Sequence, residues 1–331
     1  MLYGIGNPLM DIIVRADTAA LDNLGVVPGS MNLVDYDKQQ AALDSGATIR
    51  RLAGGSCANT VRGARWLARV AGSSAPAGYT GGVGHDRAGD AFETLLDTEG
   101  VQPLLARKNT PTGSSVIVVT PDSQRTMFTY LGACRDLEPD DIVADAIRDA
   151  RILHVTGYMW DTSNQEQAAR IAVERARQSR TLISFDIADR FVVDRYHQSL
   201  AEWMPGRIDV LFGNEQELCA LTGEPAGGHE TLRAASRFAR NVVMKTGPRG
   251  CVVLDGDRLF ESPAHPAQTL DTTGAGDAFA GGYLFGIIQE QSADRCARMA
   301  NRLAGGIVTV DGCNYDALDP GEIATAFAEF V

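Results

Sequence analysis

The sequence predicts an α/β fold in which helices cover both faces of a parallel β-sheet. The chain has 331 residues, of which 44% are hydrophobic, so it is able to bury a large core. In the C-terminal half, short β-branched segments alternate with helical segments, and strand starts recur about every 30 residues, the length of a βαβ unit. The predicted order is a strand over 151–157, a helix over 162–179, a strand over 181–187, a helix over 194–204 and a strand over 208–213.

The next two strands are predicted to be antiparallel. They cover 241–247 and 251–255 and are joined by Pro248, Arg249 and Gly250, which favour a turn. So short a connection cannot contain a crossover helix, so we expect a hairpin at the edge of the sheet.

The first 135 residues predict a small second sheet. Strands over 11–16 and 30–35 form one predicted hairpin, and strands over 114–120 and 125–130 form another around the turn at 121–124. Neither pair is followed by a predicted helix. Because the strands come from two separate segments, we expect a lid over the main domain and not an independent domain. The prediction is a single domain over 1–331 whose lid is formed by about 11–36 and 107–131.

Composition excludes several classes of protein. A formal net charge of −12 disfavours DNA or RNA as a partner, and no apolar run approaches the roughly 20 residues of a membrane helix. The first residues carry Asp11 and no basic region, so they do not resemble a signal peptide, and we expect a cytoplasmic protein. The three lysines, Lys38, Lys108 and Lys245, do not follow a glycine, which excludes a P-loop. The Cys and His spacings do not indicate a structural metal site.

The segment DTTGAGDAF, residues 271–279, predicts an anion-binding site. It precedes a helix predicted over 278–289, which Thr272 or Thr273 could cap. The backbone N–H groups of Gly274, Ala275 and Gly276 would then converge where the helix dipole favours negative charge, without a lysine. Asp277 in the same turn is placed to accept a hydroxyl proton. The alternative is that Asp277 is only an acidic residue in a first helical turn.

A second candidate site is the pair Asn214 and Glu217, which follows the strand over 208–213. Their i, i+3 spacing puts both on one helix face, and their oxygens suit a hydrated Mg²⁺. The alternative is an exposed helix start that is rich in acidic residues.

A third candidate site lies near the N-terminus. Asn7, Asp11 and Asn59 are short polar side chains beside glycines and could bind a polyhydroxyl ligand, although turn capping explains each of them equally well. The segment is not a dinucleotide fingerprint, because Pro8 would interrupt the helix and Leu9 occupies the last glycine position.

Five motifs together resemble the ribokinase-like (PfkB) family of carbohydrate and nucleoside kinases. They are GNPLMD (6–11), AGGSCAN (53–59), N-x-x-E (214–217), K-T-G-x-x-G (245–250) and DTTGAGDAF (271–279), in the order seen in that family. The resemblance implies a three-layer α/β/α sandwich with a β-sheet lid. It also implies ATP as the donor, Mg²⁺ and, in many members, a monovalent cation such as K⁺.

The resemblance also implies a role for each matching residue. Asp277 would be the catalytic base, and Arg125 would approach the phosphates from the lid. The implied groups are Gly274, Ala275 and Gly276 in the anion hole, Asn214 and Glu217 at Mg²⁺ and its waters, Thr246, Gly247, Gly250 and Asn301 near ATP, and Asn7, Asp11, Gly54, Gly55 and Asn59 at the acceptor.

Within this family, GNPLMDI is most similar to the corresponding segment of adenosine kinases, and Tyr158, Met159 and Trp160 could form an apolar wall for a base. The leading prediction is therefore a kinase for the 5′-hydroxyl of a nucleoside, with adenosine as the expected acceptor. The alternatives are a kinase for a free sugar such as ribose or fructose, and a non-catalytic nucleotide sensor. The expected partners are small molecules, with no nucleic acid or membrane, and the protein is expected to be a monomer or a homodimer.

Overall fold

The structure is a computed structural model that describes all residues except 18–20, 22, 23, 27, 28, 30, 122, 123, 226, 322 and 324–331. Several of these positions fall in the predicted segment 11–36, and Asp122 and Ser123 fall in the predicted turn at 121–124, so those parts of the prediction lie outside the described residues. Within the described ranges, no helix has both the length and the apolar composition that crossing a bilayer requires.

The strands and helices alternate along most of the chain. The strands are β1 (Leu2–Ile5), β2 (Leu9–Arg15), β3 (Met31–Leu33), β4 (Ala47–Gly54), β5 (Ala77–Thr80), β6 (Gly82–Gly84), β7 (Val101–Pro103), β8 (Ala106–Lys108), β9 (Ser114–Val119), β10 (Arg125–Tyr130), β11 (Ile152–Thr156), β12 (Leu182–Asp186), β13 (Ile208–Asn214), β14 (Ala239–Lys245), β15 (Cys251–Asp255) and β16 (Arg258–Ser262). The helices are α1 (Tyr36–Asp44), α2 (Ser56–Val70), α3 (Arg87–Thr98), α4 (Ala144–Arg148), α5 (Ser163–Ser179), α6 (Arg190–Trp203), α7 (Glu215–Thr222), α8 (Gly228–Ala235), α9 (Ala275–Ile288) and α10 (Ala293–Ile307).

The main sheet has nine strands in the order β16-β15-β14-β13-β12-β11-β1-β5-β7. The strands from β14 to β7 pair in parallel, and β15 and β16 pair antiparallel at one edge. One hydrophobic core joins α2, α3, α9 and α10 to one face, and a second joins α4 to α8 to the other face. The predicted three-layer α/β/α sandwich and the antiparallel pairing of β14 with β15 are therefore confirmed. The edge strand itself is β16, which was not predicted.

Element bounds in the C-terminal half agree closely with the prediction, with one exception. Helix α6 begins at Arg190, four residues before the predicted start at 194. The reason is local: the carboxylate of Asp189 accepts a hydrogen bond from the backbone N–H of Phe191 at 2.9 Å and caps the helix there.

A second sheet has five strands in the order β3-β10-β9-β2-β4. The predicted hairpin of β9 and β10 is confirmed, but the predicted pairing of 11–16 with 30–35 is wrong. Instead β2 pairs with β4 and β9, while β3 pairs in parallel with β10 and is followed by α1. Ile12, Val116 and Phe128 belong to a small separate core beneath this sheet.

Helix α9 is packed unusually tightly at the centre of its layer. A Cβ on Gly281 would lie 2.6 Å from the carbonyl oxygen of Thr60 in α2, and a Cβ on Gly282 would lie 2.8 Å from the Cα of Ala300 in α10. Side chains at these positions would push the helices apart, so the two glycines let α9 contact both neighbours through its backbone. The start of α9 is thereby held in a fixed position relative to the sheet.

Candidate active site

A cavity of about 260 Å³ lies between the five-stranded sheet and the carboxyl ends of the main-sheet strands. Ligands of open α/β sheets bind at this end of the strands. The sheet strands β2, β3, β9 and β10 contribute Leu9, Asp11, Met31, Leu33, Ser115, Ile117, Met127 and Thr129. The main domain contributes Asn7, Gly55, Ser56, Cys57, Thr156, Tyr158, Ala188, Phe191, Val192, Tyr196, Thr273 and Asp277, among others.

Asp277 is a partly buried carboxylate in the first turn of α9 and lines this cavity. One carboxylate oxygen accepts a hydrogen bond from the hydroxyl of Ser56 at 2.7 Å, and the other accepts one from the side-chain amide of Asn59 at 2.9 Å. Burial raises the pKa of Asp277 to about 6, while the two hydrogen bonds act in the opposite direction. The group is thus a carboxylate at neutral pH with a pKa close to that of an effective general base.

The head of α9 presents backbone N–H groups beside Asp277. Among the described residues, no hydrogen-bond partner occurs for the backbone N–H of Gly274 or of Gly276, whereas the N–H of Ala275 donates to the carbonyl of Thr272 at 3.1 Å. Two of the three N–H groups that the sequence indicated therefore remain available to an anion in this structure. The helix dipole adds to their attraction for negative charge.

The capping prediction for this helix was wrong. The N-cap is Gly274, at a φ of 76°, and no side chain in the described part of the chain caps the helix. The hydroxyl of Thr273 donates instead to the carboxylate of Asp271 at 2.8 Å. A Cβ on Gly274 would lie 2.6 Å from the Cβ of Cys313, so both the backbone conformation and the available space require glycine at this position.

Asn59 lies behind Asp277 and is 5% exposed, outside the set of residues that line the cavity. Its amide oxygen accepts a hydrogen bond from the guanidinium of Arg62 at 3.1 Å, and Arg62 makes a paired contact with Glu99 at 2.5 and 2.7 Å. The expectation that Asn59 contacts the acceptor therefore does not match its position. Instead Asn59 connects a buried ion pair to the carboxylate of Asp277.

Asn7, Asp11 and Gly55 line the same cavity. The amide oxygen of Asn7 accepts a hydrogen bond from the side chain of Gln165 at 2.7 Å. A Cβ on Gly54 would lie 2.4 Å from a carboxylate oxygen of Asp11, so the glycine lets Asp11 lie against the backbone. The pKa of Asp11 is raised to about 7, chiefly by burial and also by the charge of Asp277, while the charge of Arg62 acts in the opposite direction.

Asn214 and Glu217 bind each other in a capping box at the start of α7. The backbone N–H of Glu217 donates to the Asn214 side chain at 2.9 Å, and the backbone N–H of Asn214 donates to the Glu217 carboxylate at 2.8 Å. Burial raises the pKa of Glu217 to about 7, and the nearby charge of Lys245 lowers it. Among the described residues, no group of three or more His, Cys, Asp or Glu is arranged to hold a metal ion. The amide oxygen of Asn214 and both carboxylate oxygens of Glu217 accept hydrogen bonds within this box.

The residues predicted to lie near ATP do not line the cavity. Three of them form the turn between β14 and β15, and Asn301 contacts the end of β16. Thr246 and Gly250 close the turn through a backbone hydrogen bond of 2.8 Å, with Gly247 between them. The side-chain amide of Asn301 is 6% exposed and donates to the backbone carbonyl and to the hydroxyl of Ser262, both at 3.1 Å. In this structure Asn301 therefore joins α10 to the end of β16.

Arg125, at the start of β10, connects the five-stranded sheet to the loop before α9. Its guanidinium forms an ion pair with Asp271 and lies 3.4 Å from a carboxylate oxygen of Asp311. Burial would raise the pKa of Asp271, but hydrogen bonds from Arg125, Thr273 and the backbone of Gly312 hold it below its usual value. The sheet and the head of α9 are therefore joined by a charged contact.

The structure adds Asp186, which the sequence did not single out, as the partner of Lys245 from the K-T-G-x-x-G motif. Lys245 at the end of β14 pairs with Asp186 at the end of β12, with distances from its ammonium nitrogen of 2.8 and 3.1 Å to the two carboxylate oxygens. Burial would lower the pKa of Lys245, but the charges of Asp186 and Glu217 raise it above its ordinary value. A carboxylate at the end of a buried strand, as in residues 182–186, was the signal that could have identified Asp186.

Aromatic residues at the far end of the cavity differ in part from those expected. Tyr158 lines the cavity and lies 5.9 Å from Phe191, measured between ring centroids. Met159 and Trp160 are instead buried in the core, at 0% and 2% exposure, so they do not form a wall of the site.

A helix head with free N–H groups, a carboxylate beside it and a cavity at the carboxyl edge of a parallel sheet are features of enzymes that transfer phosphoryl groups to small molecules. The chain belongs to the pfkB family of carbohydrate kinases, whose family model matches residues 24–319. Kinases of this family are phosphotransferases that act on hydroxyl groups.

Known proteins resemble the chain over most of its length. The crystal structure of adenosine kinase from Sinorhizobium meliloti is 31% identical, with a TM-score of 0.87 over 100% of this chain and 99% of that one. The structure of a probable sugar kinase protein from Rhizobium etli CFN 42 is 30% identical, with a TM-score of 0.88 over 99% of this chain and 97% of that one. A nucleoside kinase from Methanothermobacter thermautotrophicus is 29% identical over 84% of this chain and 85% of its own.

Proposed function

We propose that the protein transfers the terminal phosphoryl group of ATP to the 5′-hydroxyl of a nucleoside, with adenosine as the preferred acceptor. The observation that carries the choice of a nucleoside is the uneven polarity of the cavity. Asn7, Asp11, Ser56 and Asp277 form a polar part, while the remaining lining is largely apolar and includes Leu9, Met31, Leu33, Ile117, Met127, Tyr158, Phe191 and Val192.

This polarity matches the two halves of a nucleoside. The polar part suits ribose hydroxyls, which need hydrogen-bond partners when they leave water. The apolar part suits a flat base, because Tyr158 and Phe191 offer aromatic surface for contact with a ring. A free sugar would leave this apolar lining without a matching group. The similarity to an adenosine kinase at 31% identity and to a nucleoside kinase at 29% identity supports the same choice.

In the proposed reaction Asp277 accepts the proton of the acceptor hydroxyl as its oxygen attacks the terminal phosphorus, and ADP leaves on the opposite side. The N–H groups of Gly274 and Gly276 stabilise the charge that develops on the transferred phosphoryl group. Ser56 and Asn59 hold the carboxylate of Asp277 in place through the hydrogen bonds at 2.7 and 2.9 Å. Asp11 binds a ribose hydroxyl at the polar part of the cavity.

The proposal also assigns residues to a divalent cation and to the nucleotide. Mg²⁺, held through waters by Asn214 and Glu217, would neutralise charge on the phosphates of ATP. We assign Thr246, Gly247 and Gly250 to the nucleotide side, because their turn follows β14 next to the head of α9. K⁺ is a further candidate activator, and assays in KCl and in tetramethylammonium chloride would test it.

We also propose that the five-stranded sheet acts as the lid within a single domain. Its strands contribute eight of the 22 residues that line the cavity, so its movement would open or close the acceptor site. The lid that we propose comprises β2, β3, β4, β9 and β10, which adds Ala47–Gly54 to the segments predicted from the sequence.

A panel of acceptors in a coupled ADP-release assay tests the function. Adenosine, other nucleosides, ribose and fructose would be compared at equal concentration, and adenosine is expected to give the highest kcat/KM. The second candidate is a sugar kinase, which the 30% identity to a probable sugar kinase protein favours. Phosphorylation of ribose or fructose with none of any nucleoside would refute the nucleoside assignment and support that candidate.

A further inference from the structure

The head of α9 has a cationic side chain beside it, although the motif that forms it contains no lysine. A Cβ on Gly276 would lie 3.4 Å from the ammonium nitrogen of Lys245, which makes this lysine a direct neighbour of Gly276 at the head of α9. Lys245 reaches this position from the last residue of β14, and its side chain is 16% exposed. A cation at this distance adds to the positive potential that the helix dipole creates at the same point.

The partner of Lys245 is held in place independently of the lysine. Asp186 is the last residue of β12, its side chain is 2% exposed, and it also accepts a hydrogen bond from the backbone N–H of Ala188 at 3.0 Å. An ammonium group has three N–H donors, and both contacts that the described residues make with it go to Asp186. Lys245 therefore rests on a fixed carboxylate and retains donor capacity toward Gly276.

We propose that Lys245, which pairs with Asp186 in this structure, is a phosphate-binding residue that donates to the terminal phosphoryl group of the donor at the head of α9. The inference rests on the proposed phosphoryl transfer and names an additional residue for it. Asp186 keeps the ammonium group close to the site, and the flexible four-carbon stem of lysine lets it change partner without moving β14. Only the last phosphoryl group of the donor would reach this point, so Lys245 should strengthen the binding of ATP and contribute little to the binding of ADP.

The test compares binding of ADP with binding of a non-hydrolysable ATP analogue in the presence of Mg²⁺, measured by calorimetry on the full chain. Lys245→Met should weaken binding of the analogue by about 10- to 100-fold, the range expected for a lost charged hydrogen bond, and change that of ADP far less. Lys245→Arg should restore much of the loss, because the positive charge is kept. Lys108→Met is the matched control. Lys108 is the last residue of β8, its side chain is 15% exposed, it pairs with Asp141 at 2.6 Å, and it does not line the cavity.

The alternative role of Lys245 is a structural link between β12 and β14. If that were its only role, Lys245→Met would bind the analogue as tightly as the wild type does, or would lose ADP and the analogue equally, and either result would overturn the inference. Where Lys245→Met folds poorly because Asp186 is left unpaired, the double variant Lys245→Met with Asp186→Asn removes both charges. It should show the same selective loss of the analogue. A wild-type protein that binds neither nucleotide and phosphorylates no acceptor would refute the proposed function itself, which is a different result.

Discussion

At the residue scale, the candidate site depends on how neighbouring groups set the pKa and the orientation of the Asp277 carboxylate. Burial raises its pKa to about 6, and two neutral donors from α2 keep it from rising further. The same two donors fix its orientation, since each carboxylate oxygen has one protein partner. The carboxylate is therefore both a suitable base and a rigid one.

Replacement of this base should abolish most of the activity. Asp277→Asn keeps the shape of the side chain but cannot accept the hydroxyl proton, so kcat should fall by about 10²- to 10⁴-fold. Binding of ATP, measured by calorimetry, should change little. A variant with wild-type turnover would show that Asp277 is not the base.

The activity should also depend on pH, because the hydrogen bonds to Asp277 affect the pKa of its carboxyl group. The base must be ionised, so kcat/KM should be full above a pH of about 6 and be lost as the pH falls through that value. Ser56→Ala removes a donor that favours the carboxylate, so the pKa of Asp277 should rise and the acidic limb should move to higher pH. The plateau at high pH should be affected less than the limb. A pH–rate profile with an unshifted acidic limb would contradict this role of Ser56.

At the element scale, α9 combines a glycine start with close contacts to its neighbours along its length. Gly274 has a left-handed backbone and faces Cys313, while Gly281 and Gly282 lie against α2 and α10. The helix start is therefore determined by packing over several turns and not by a capping side chain. That is why a search for Ser or Thr caps in the sequence misplaced the cap.

Two glycine substitutions separate backbone strain from steric overlap. Gly274→Ala and Gly223→Ala both put a Cβ on a left-handed residue, at φ values of 76° and 79°. Gly223 has no atom within 4 Å of the added Cβ, so its loss of stability should reflect strain alone, about 1–2 kcal/mol. Gly274→Ala should cost about 1–3 kcal/mol more because of overlap with Cys313. Urea unfolding would give the free energy of unfolding of both variants. Equal losses of stability would mean that the loop containing Cys313 moves away at no measurable cost.

Other elements show what the sequence could and could not predict. The main-sheet strands from β11 to β15 were recognisable, since β11 and β12 are buried runs between turn residues, but β1, β5, β7 and β16 were not predicted. Strand β4 carries Arg50 and Arg51 at a sheet edge and has little hydrophobic pattern. The motifs located Asp277 correctly at a helix start. They did not indicate the pair of Lys245 and Asp186, because residues 59 positions apart meet only through the lateral order of β12, β13 and β14.

At the scale of the whole molecule, the cavity lies between two sheets that are joined by the contact of Arg125 with Asp271. The main sheet and its two helical layers hold Asp277 and the backbone N–H groups at the head of α9, and the five-stranded sheet supplies part of the cavity lining. The strand order that produces this arrangement brings β1 between β11 and β5, which no local sequence pattern indicates. The sequence thus predicted the fold class and a small sheet over the main domain, whereas it did not indicate the lateral order of the strands.

Binding of the acceptor should reduce the mobility of the proposed lid. The backbone amides of β9 and β10 should exchange with deuterium more slowly when adenosine is present, because closure of the sheet would protect their hydrogen bonds and exclude water from the site. Helix α8 lies outside the cavity lining and serves as the internal control, since its exchange should not respond. Equal exchange in β9 and β10 with and without adenosine would contradict closure.

The backbone packing of α9 against α2 and α10 has a consequence for how this protein can diverge. Substitutions at Gly281 or Gly282 would disturb the whole helical layer, whereas Met31, Leu33, Ile117 and Met127 belong to the smaller sheet and line the cavity without contributing to that layer. Inherited changes in the second group are therefore far more readily tolerated than changes in the first. A lineage could acquire a new acceptor through a few lid mutations while the machinery for phosphoryl transfer stayed the same, and laboratory libraries aimed at new acceptors should begin there.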